Sequence, residues 1–148
     1  MSDKTALKLW LQLAKTSALL QSEITARLRT HYGQSMARFD VLSQLARTDG
    51  KRLGVSALSR MLIASSGNIS RLLDRMEKEG LLERSPAPRD RRSIMIGLTP
   101  AGADLFTRMA KDHECWVGEI LAAMSKADQQ ELLETLTSLQ RVMSAKPE

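Results

Sequence analysis

The stretch that most restricts the fold is residues 69–98, where a helical apolar pattern gives way to two alternating runs separated by PAPRDRR. Ile69, Leu72, Leu73 and Met76 follow the i, i+3, i+4, i+7 spacing that gathers side chains on one helix face, which must be buried. Ser65 is a favourable N-cap, and Gly80 can take the left-handed conformation that ends a helix, so the spacing predicts a helix over about 66–79. Leu81 to Ser85 reads as a short strand. Ile94, Ile96 and Leu98 alternate with Ser93, Met95 and Gly97 as in a half-buried strand. Two prolines and four charges in PAPRDRR can neither continue a helix nor enter a core, which makes this segment an exposed hairpin tip. Val55 to Leu62 forms a preceding helix with Leu58, Met61 and Leu62 inward, and Ile63-Ala64 is the turn. Helix, turn, helix and basic hairpin in this order describe a winged helix-turn-helix.

Around this head the chain reads as helical. Residues 5–32 form one long amphipathic helix ended by Gly33, and Ser35 caps a second helix to about Arg47. Lys51 to Leu53 lead into the head. Thr99-Pro100 starts another helix, which runs to about Met124 with Ala103, Phe106, Ala110, His113, Val117, Ile120 and Met124 inward. Ser125, with Asp128 three residues on, caps a last helix to about Met143, where Leu132, Leu136, Leu139 and Met143 resemble a short heptad seam. The fold class is therefore mainly α, an α+β winged helix with N- and C-terminal helices forming a dimerisation region. One domain is expected over 1–148, with the winged helix at 35–99 and the dimerisation helices at 1–34 and 100–148. The flanking apolar stripes need partners, and a second copy of the chain is the economical one.

Charge locates the working surface. The chain carries +5, and residues 51–102 hold ten Lys/Arg against five Asp/Glu, so the remainder balances to zero. Cations set against phosphates release condensed counterions and so favour nucleic acid. With the apolar helix face fixed, Gly67, Arg71, Asp74 and Lys78 point outward, flanked by Asn68 and Arg75 on one side and Ser66 and Ser70 on the other. Serines, an asparagine and two arginines suit base edges and phosphates. A merely solvated face is the ordinary alternative, and the arginines of the hairpin, Arg89, Arg91 and Arg92, weigh against it.

Several function classes lack their residues. Cys115 is the single cysteine, which removes intramolecular disulfides and multi-cysteine zinc sites, and His31 and His113 are the only histidines. There is no Gly-rich phosphate loop or nucleophile elbow, so no enzyme and no cofactor is expected. The N-terminus begins polar and no apolar run approaches the roughly 20 residues of a membrane span, which points to a cytoplasmic protein.

The segment ISRLLDRMEKEGLLERSPAPRDRRSIMIGLTPAG, residues 69–102, resembles the recognition helix, strand, wing and helix start of the multiple antibiotic resistance regulators, the MarR family. The resemblance implies a homodimeric transcriptional regulator, usually a repressor, on a palindromic double-stranded operator. It places Ser70 and Arg71 at bases or nearby phosphates and Arg92 at the wing tip in the minor groove, with Ser65, Ser66, Asn68 and Arg75 in support. Asp90 is read as orienting a neighbouring arginine by a charge-assisted bond. An internal pair with Asp74 or Asp90 is the alternative for Arg75. The resemblance also implies release by a small effector, here an aromatic acid of the phenolic or cinnamate type or its coenzyme A thioester. His31, Tyr32 and Arg38 at the junction of the first two helices are its candidate partners, with Arg27 and Arg29 suited to the thioester's phosphates. For these residues and for Trp10 and Trp116, capping or packing is the competing role. Redox triggering through Cys115 is the alternative mechanism, but beside Glu114 its thiolate is disfavoured, and it reads as a small buried hydrophobe. A winged-helix protein-interaction module without DNA is the alternative from another class.

Overall fold

The computed structural model describes residues 2–62 and 68–145, except for the side chain of Arg91. The elements are α1 (Thr5–Tyr32), α2 (Met36–Arg47), β1 (Arg52–Gly54), α3 (Val55–Met61), α4 (Ile69–Lys78), β2 (Leu82–Ala87), β3 (Asp90–Leu98), α5 (Pro100–Leu121) and α6 (Lys126–Ser144). The fold is the expected mainly helical winged helix, with one antiparallel sheet in the order β1-β3-β2. The chain divides into two compact units, Met1–Asp112 and His113–Glu148, with the boundary inside α5.

Local chemistry sets the helix ends. Gly33 is left-handed at φ 63°, and its N–H and that of Gln34 donate to Arg29 and Leu28 oxygens, closing α1 where the glycine predicted. The Ser35 hydroxyl accepts from the Arg38 N–H at 3.2 Å and the Ser125 hydroxyl from the Asp128 N–H at 3.1 Å, caps worth about 1 kcal/mol each. α3 ends at Met61, whose side chain is exposed, so only Leu58 of its three expected inward residues is fully buried.

The core of the first unit gathers around α2. Val41, Leu42 and Leu45 are wholly enclosed, and Asp40, Ser43 and Gln44 are buried beside them, so this helix is covered nearly all round. Ile24 and Leu28 of α1, Leu58, Leu73, Met76, Ile96 and Met109 complete the core, and Phe39 stacks on Phe106 of α5 with ring centroids 5.8 Å apart. Fully burying such a side chain contributes about 1.5–3 kcal/mol. α4 is thus anchored through Leu73 and Met76, leaving its other face to solvent.

β1 was not expected from the sequence. Gly50 (φ 75°) and Lys51 (φ 56°) turn the chain back so that Arg52, Leu53 and Gly54 pair with Gly97, Ile96 and Met95. On β3, Ile96 is buried but Ile94 is half exposed, contrary to the expected inward row, because the strand has by then left the helices for the hairpin tip.

In the second unit Trp116 is buried, and Cys115 is exposed, which corrects the reading of that thiol as a buried hydrophobe. Neighbouring helical residues lie about 100° apart, so burial of Trp116 does not extend to Cys115. Burial pushes the His113 imidazole pKa below its ordinary value. None of α6 is buried, and Leu132, Leu133, Leu139, Val142 and Met143 are exposed. No helix is long and apolar enough to cross a membrane among the described residues.

Candidate nucleic-acid interface

α4 begins later than its sequence pattern predicts. Ser65 and Ser66 lie outside the described residues, and the cap is Asn68, whose side-chain oxygen accepts from the Arg71 N–H at 3.1 Å. This bond engages the side-chain carbonyl of the exposed Asn68 with the backbone, and its NH2 group is a donor only. Ser70 and Arg71 then fall in the first helical turn, exposed, where the positive end of the helix dipole favours an anion. Arg75 and Lys78 continue the exposed face.

The helix stops on a Schellman motif. Gly80 has φ 77°, its N–H donates to the Glu77 oxygen, and the Leu81 N–H donates to the Met76 oxygen at 3.0 Å. The Thr99 hydroxyl donates to the Gly80 oxygen at 2.5 Å and accepts from the Gly102 N–H at 3.1 Å, so the end of α4 and the start of α5 share one threonine.

The wing is tighter than PAPRDRR suggests. β2 runs through Pro86 to Ala87 and β3 starts at Asp90, so only Pro88 and Arg89 form the turn. Pro86 pairs with Ile94 but Ala87 pairs with Asp90, which leaves Arg91, Arg92 and Ser93 as extra residues on β3. A proline has no N–H for the ladder, and irregular pairing is where a sheet tolerates it. The Asp90 carboxylate fastens this excess: it accepts from the Arg92 backbone N–H at 3.0 Å and from the Ser93 hydroxyl at 3.1 Å. Asp90 therefore orients Arg92 through the backbone, where the sequence suggested a bond to a guanidinium. The side chains of Arg89 and Arg92 are exposed.

The carboxylates of the head have internal partners. Asp74 pairs with Arg84 at 2.7 Å, with Glu77 at 4.0 Å from the same guanidinium. Glu79 pairs with Arg38, Glu83 pairs with Arg52 at 3.0 Å, and Asp90 holds the wing backbone. All five acids of residues 51–102 are accounted for. Among the described residues no ion pair involves Arg71, Arg75, Lys78, Arg89 or Arg92. Arg75 thus lacks the internal pair with Asp74 or Asp90 that the sequence left open. The arrangement leaves uncompensated positive charge on α4 and the wing, which suits a polyanion.

The residues read as effector contacts are separately engaged. His31 is exposed in the last turn of α1. The Tyr32 hydroxyl donates to the Asp112 carboxylate and to the Arg108 oxygen, and that carboxylate raises the phenol's pKa. Arg38 donates to the Gln34 side chain at 3.0 Å and to Glu79. The sequence reading missed Arg84 and Arg52 as supports. Arg52 reaches Ser85 at 2.8 Å by crossing Gly97, where a Cβ would come within 3.0 Å of its Cγ. The one sequence signal for that crossing was a glycine on the central strand.

Comparison with known proteins gives the same architecture. The family model described as MarR family matches residues 35–94. The HTH-type transcriptional regulator PecS of Dickeya dadantii is 28% identical over 130 residues, covering 87% of this chain and 78% of PecS. The MarR family regulator Sco3205 of Streptomyces coelicolor, solved in complex with DNA, superposes with a TM-score of 0.82 at 21% identity, over 100% of this chain and 92% of that one. The organohalide-sensing regulator RdhR, solved with 2,4-dichlorophenol bound, superposes with a TM-score of 0.78 at 21% identity, over 95% and 82% of the two chains.

Proposed function

This chain belongs to the MarR family and is a DNA-binding transcriptional regulator, and from that premise we propose that it is a homodimeric repressor of a palindromic operator, released by an aromatic acid or its thioester. The carrying observation is electrostatic: the head's acids have internal partners while Arg71, Arg75, Lys78, Arg89 and Arg92 have none among the described residues. Ser70 and Arg71, with Asn68 and Arg75 beside them, meet base edges and phosphates in the major groove. Arg92, held by Asp90, enters the adjacent minor groove, where a narrow A·T-rich groove concentrates negative potential. Ser65, Ser66, Arg89 and Arg91 add backbone contacts. The repressor is a cytoplasmic protein and not an enzyme.

The test is an electrophoretic shift on the DNA upstream of the chain's own gene, repeated across salt. Arg92→Ala is expected to weaken binding and to reduce the slope of log affinity against log salt by about one unit. A variant that matches the wild type in affinity and slope removes Arg92 from the interface.

Release is a shift between dimer populations, the effector preferring one whose recognition helices are wrongly spaced. The phenolic class is supported by RdhR, a protein of the same fold that binds 2,4-dichlorophenol. The effector meets the end of α1 at His31, Tyr32 and Arg38, and its carboxylate displaces the internal partners of the last two. A thermal-shift series with substituted phenols, benzoates and cinnamates is expected to raise the unfolding midpoint for at least one of them. About 2.7 kcal/mol is gained at a hundredfold excess over Kd. A flat series, with their coenzyme A thioesters included, overturns the effector class.

A further inference from the structure

Two charged residues in the first unit sit at the unfavourable ends of their helices. Arg38 lies in the first turn of α2, at the positive end of that helix's dipole, and Glu79 is the C-cap of α4, at the negative end. Each placement is destabilising by itself. Glu79 also stands on the element proposed to approach phosphates, where an acid opposes binding. Arg38 is further disfavoured by burial and by Arg75 nearby, both of which lower its pKa. The compensation for all of this is their mutual contact: both terminal nitrogens of the Arg38 guanidinium meet the Glu79 carboxylate, Nη1 at 3.4 Å from Oε1.

The pair is part of a chain of contacts. The Nη1 of Arg38 also donates to the Gln34 side chain at 3.0 Å, and the Gln34 N–H donates to the Leu28 oxygen, closing the end of α1. A continuous polar path thus runs from the end of α1, through the first turn of α2, to the end of α4. The guanidinium side chain is mostly enclosed, at 13% exposure, against 51% for Glu79, so a fixed arginine holds a carboxylate that would otherwise be in solvent. A planar fork on a carboxylate constrains orientation as well as distance.

We propose that the Arg38–Glu79 pair is a positioning clamp that fixes the tilt of α4 relative to α1 and α2, and so sets the angle at which the recognition helix meets DNA. Neither residue touches the bases in this scheme. The proposal rests on the reading of α4 as the recognition helix, and the following experiment keeps the two separable.

Wild-type protein is first used to select binding duplexes from a randomised DNA pool, and affinity for a selected duplex is then measured by fluorescence anisotropy across salt. Glu79→Gln is the informative variant because charge and position act with opposite sign. Removal of an acid beside DNA strengthens binding, whereas loss of the clamp weakens it. The expected result is a loss of tenfold or more with the salt slope unchanged, since no phosphate contact has been removed. The exchange R38E/E79R puts each charge at the favourable end of its helix and rebuilds the pair, so it is expected to recover affinity to within about threefold. A Glu79→Gln protein that binds as well as the wild type or better overturns the clamp. So does an exchange variant that folds, by circular dichroism, yet binds no better than Glu79→Gln. A selection that enriches no duplex with wild-type protein instead overturns the reading of α4 itself.

Discussion

Gly102 is closed to any side chain by its neighbour's backbone. A Cβ built there would stand 2.1 Å from the Leu81 oxygen, the atom that accepts from the Thr99 N–H at 3.2 Å. A flexible side chain could swing aside, but this oxygen is fixed by the turn after α4. Helix propensity favours alanine over glycine by about 1 kcal/mol, and overpacking typically costs 1–3 kcal/mol, so the steric term decides the sign here. Gly102→Ala is expected to lower stability by about 2 kcal/mol, read as a lower urea midpoint, and an unchanged midpoint would show that the turn yields. Asp90 illustrates the same economy at the wing. A carboxylate that would oppose phosphate instead binds the Arg92 N–H and the Ser93 hydroxyl, converting an irregular ladder into a fixed mount for Arg92.

At the scale of elements, what the sequence disclosed and what it hid have separate physical causes. The C-terminal end of α1 at Gly33 and the caps Ser35, Gly80 and Ser125 were legible because capping depends on one residue and its nearest backbone. The start of α4 was placed too early because three residues that cap about equally well, Ser65, Ser66 and Asn68, precede the same apolar stripe, and it is Asn68 that accepts from the Arg71 N–H at 3.1 Å. β1 was invisible for a different reason. Three residues carry no period, and Arg52–Gly54 are extended only because β3 lies alongside. The ion pairs of Arg84 with Asp74, Arg52 with Glu83 and Arg38 with Glu79 span 10, 31 and 41 residues, and no local pattern announces a long-range pair. The basic character of the surface was therefore readable from composition, but its freedom from internal neutralisation needed the fold.

Each of the two units leaves large apolar side chains in solvent among the described residues. Leu7, Leu9, Trp10, Leu11 and Leu19 of α1 are exposed in the first unit, and Leu133, Leu139, Val142 and Met143 of α6 in the second, Trp10 by 62% and Val142 by 67%. Scattered exposed leucines are ordinary, but runs of them on two long helices mark surfaces that associate. In the proposed dimer a second copy would cover such faces by two-fold symmetry and would supply the second recognition helix, about 34 Å from the first, that a palindromic operator requires. Sedimentation equilibrium is expected to give a dimer for the wild type, and a monomer for Leu139→Glu/Val142→Glu, because two carboxylates in a closed apolar interface are too costly to desolvate. The separated heads lose the advantage of linkage, which is worth roughly 10²–10⁴ in affinity. The monomeric variant should therefore bind the full operator no better than half of it. If the wild type sediments as a monomer, or the variant as a dimer that still binds tightly, the apolar face of α6 serves some other partner and the symmetric mode of reading fails with it.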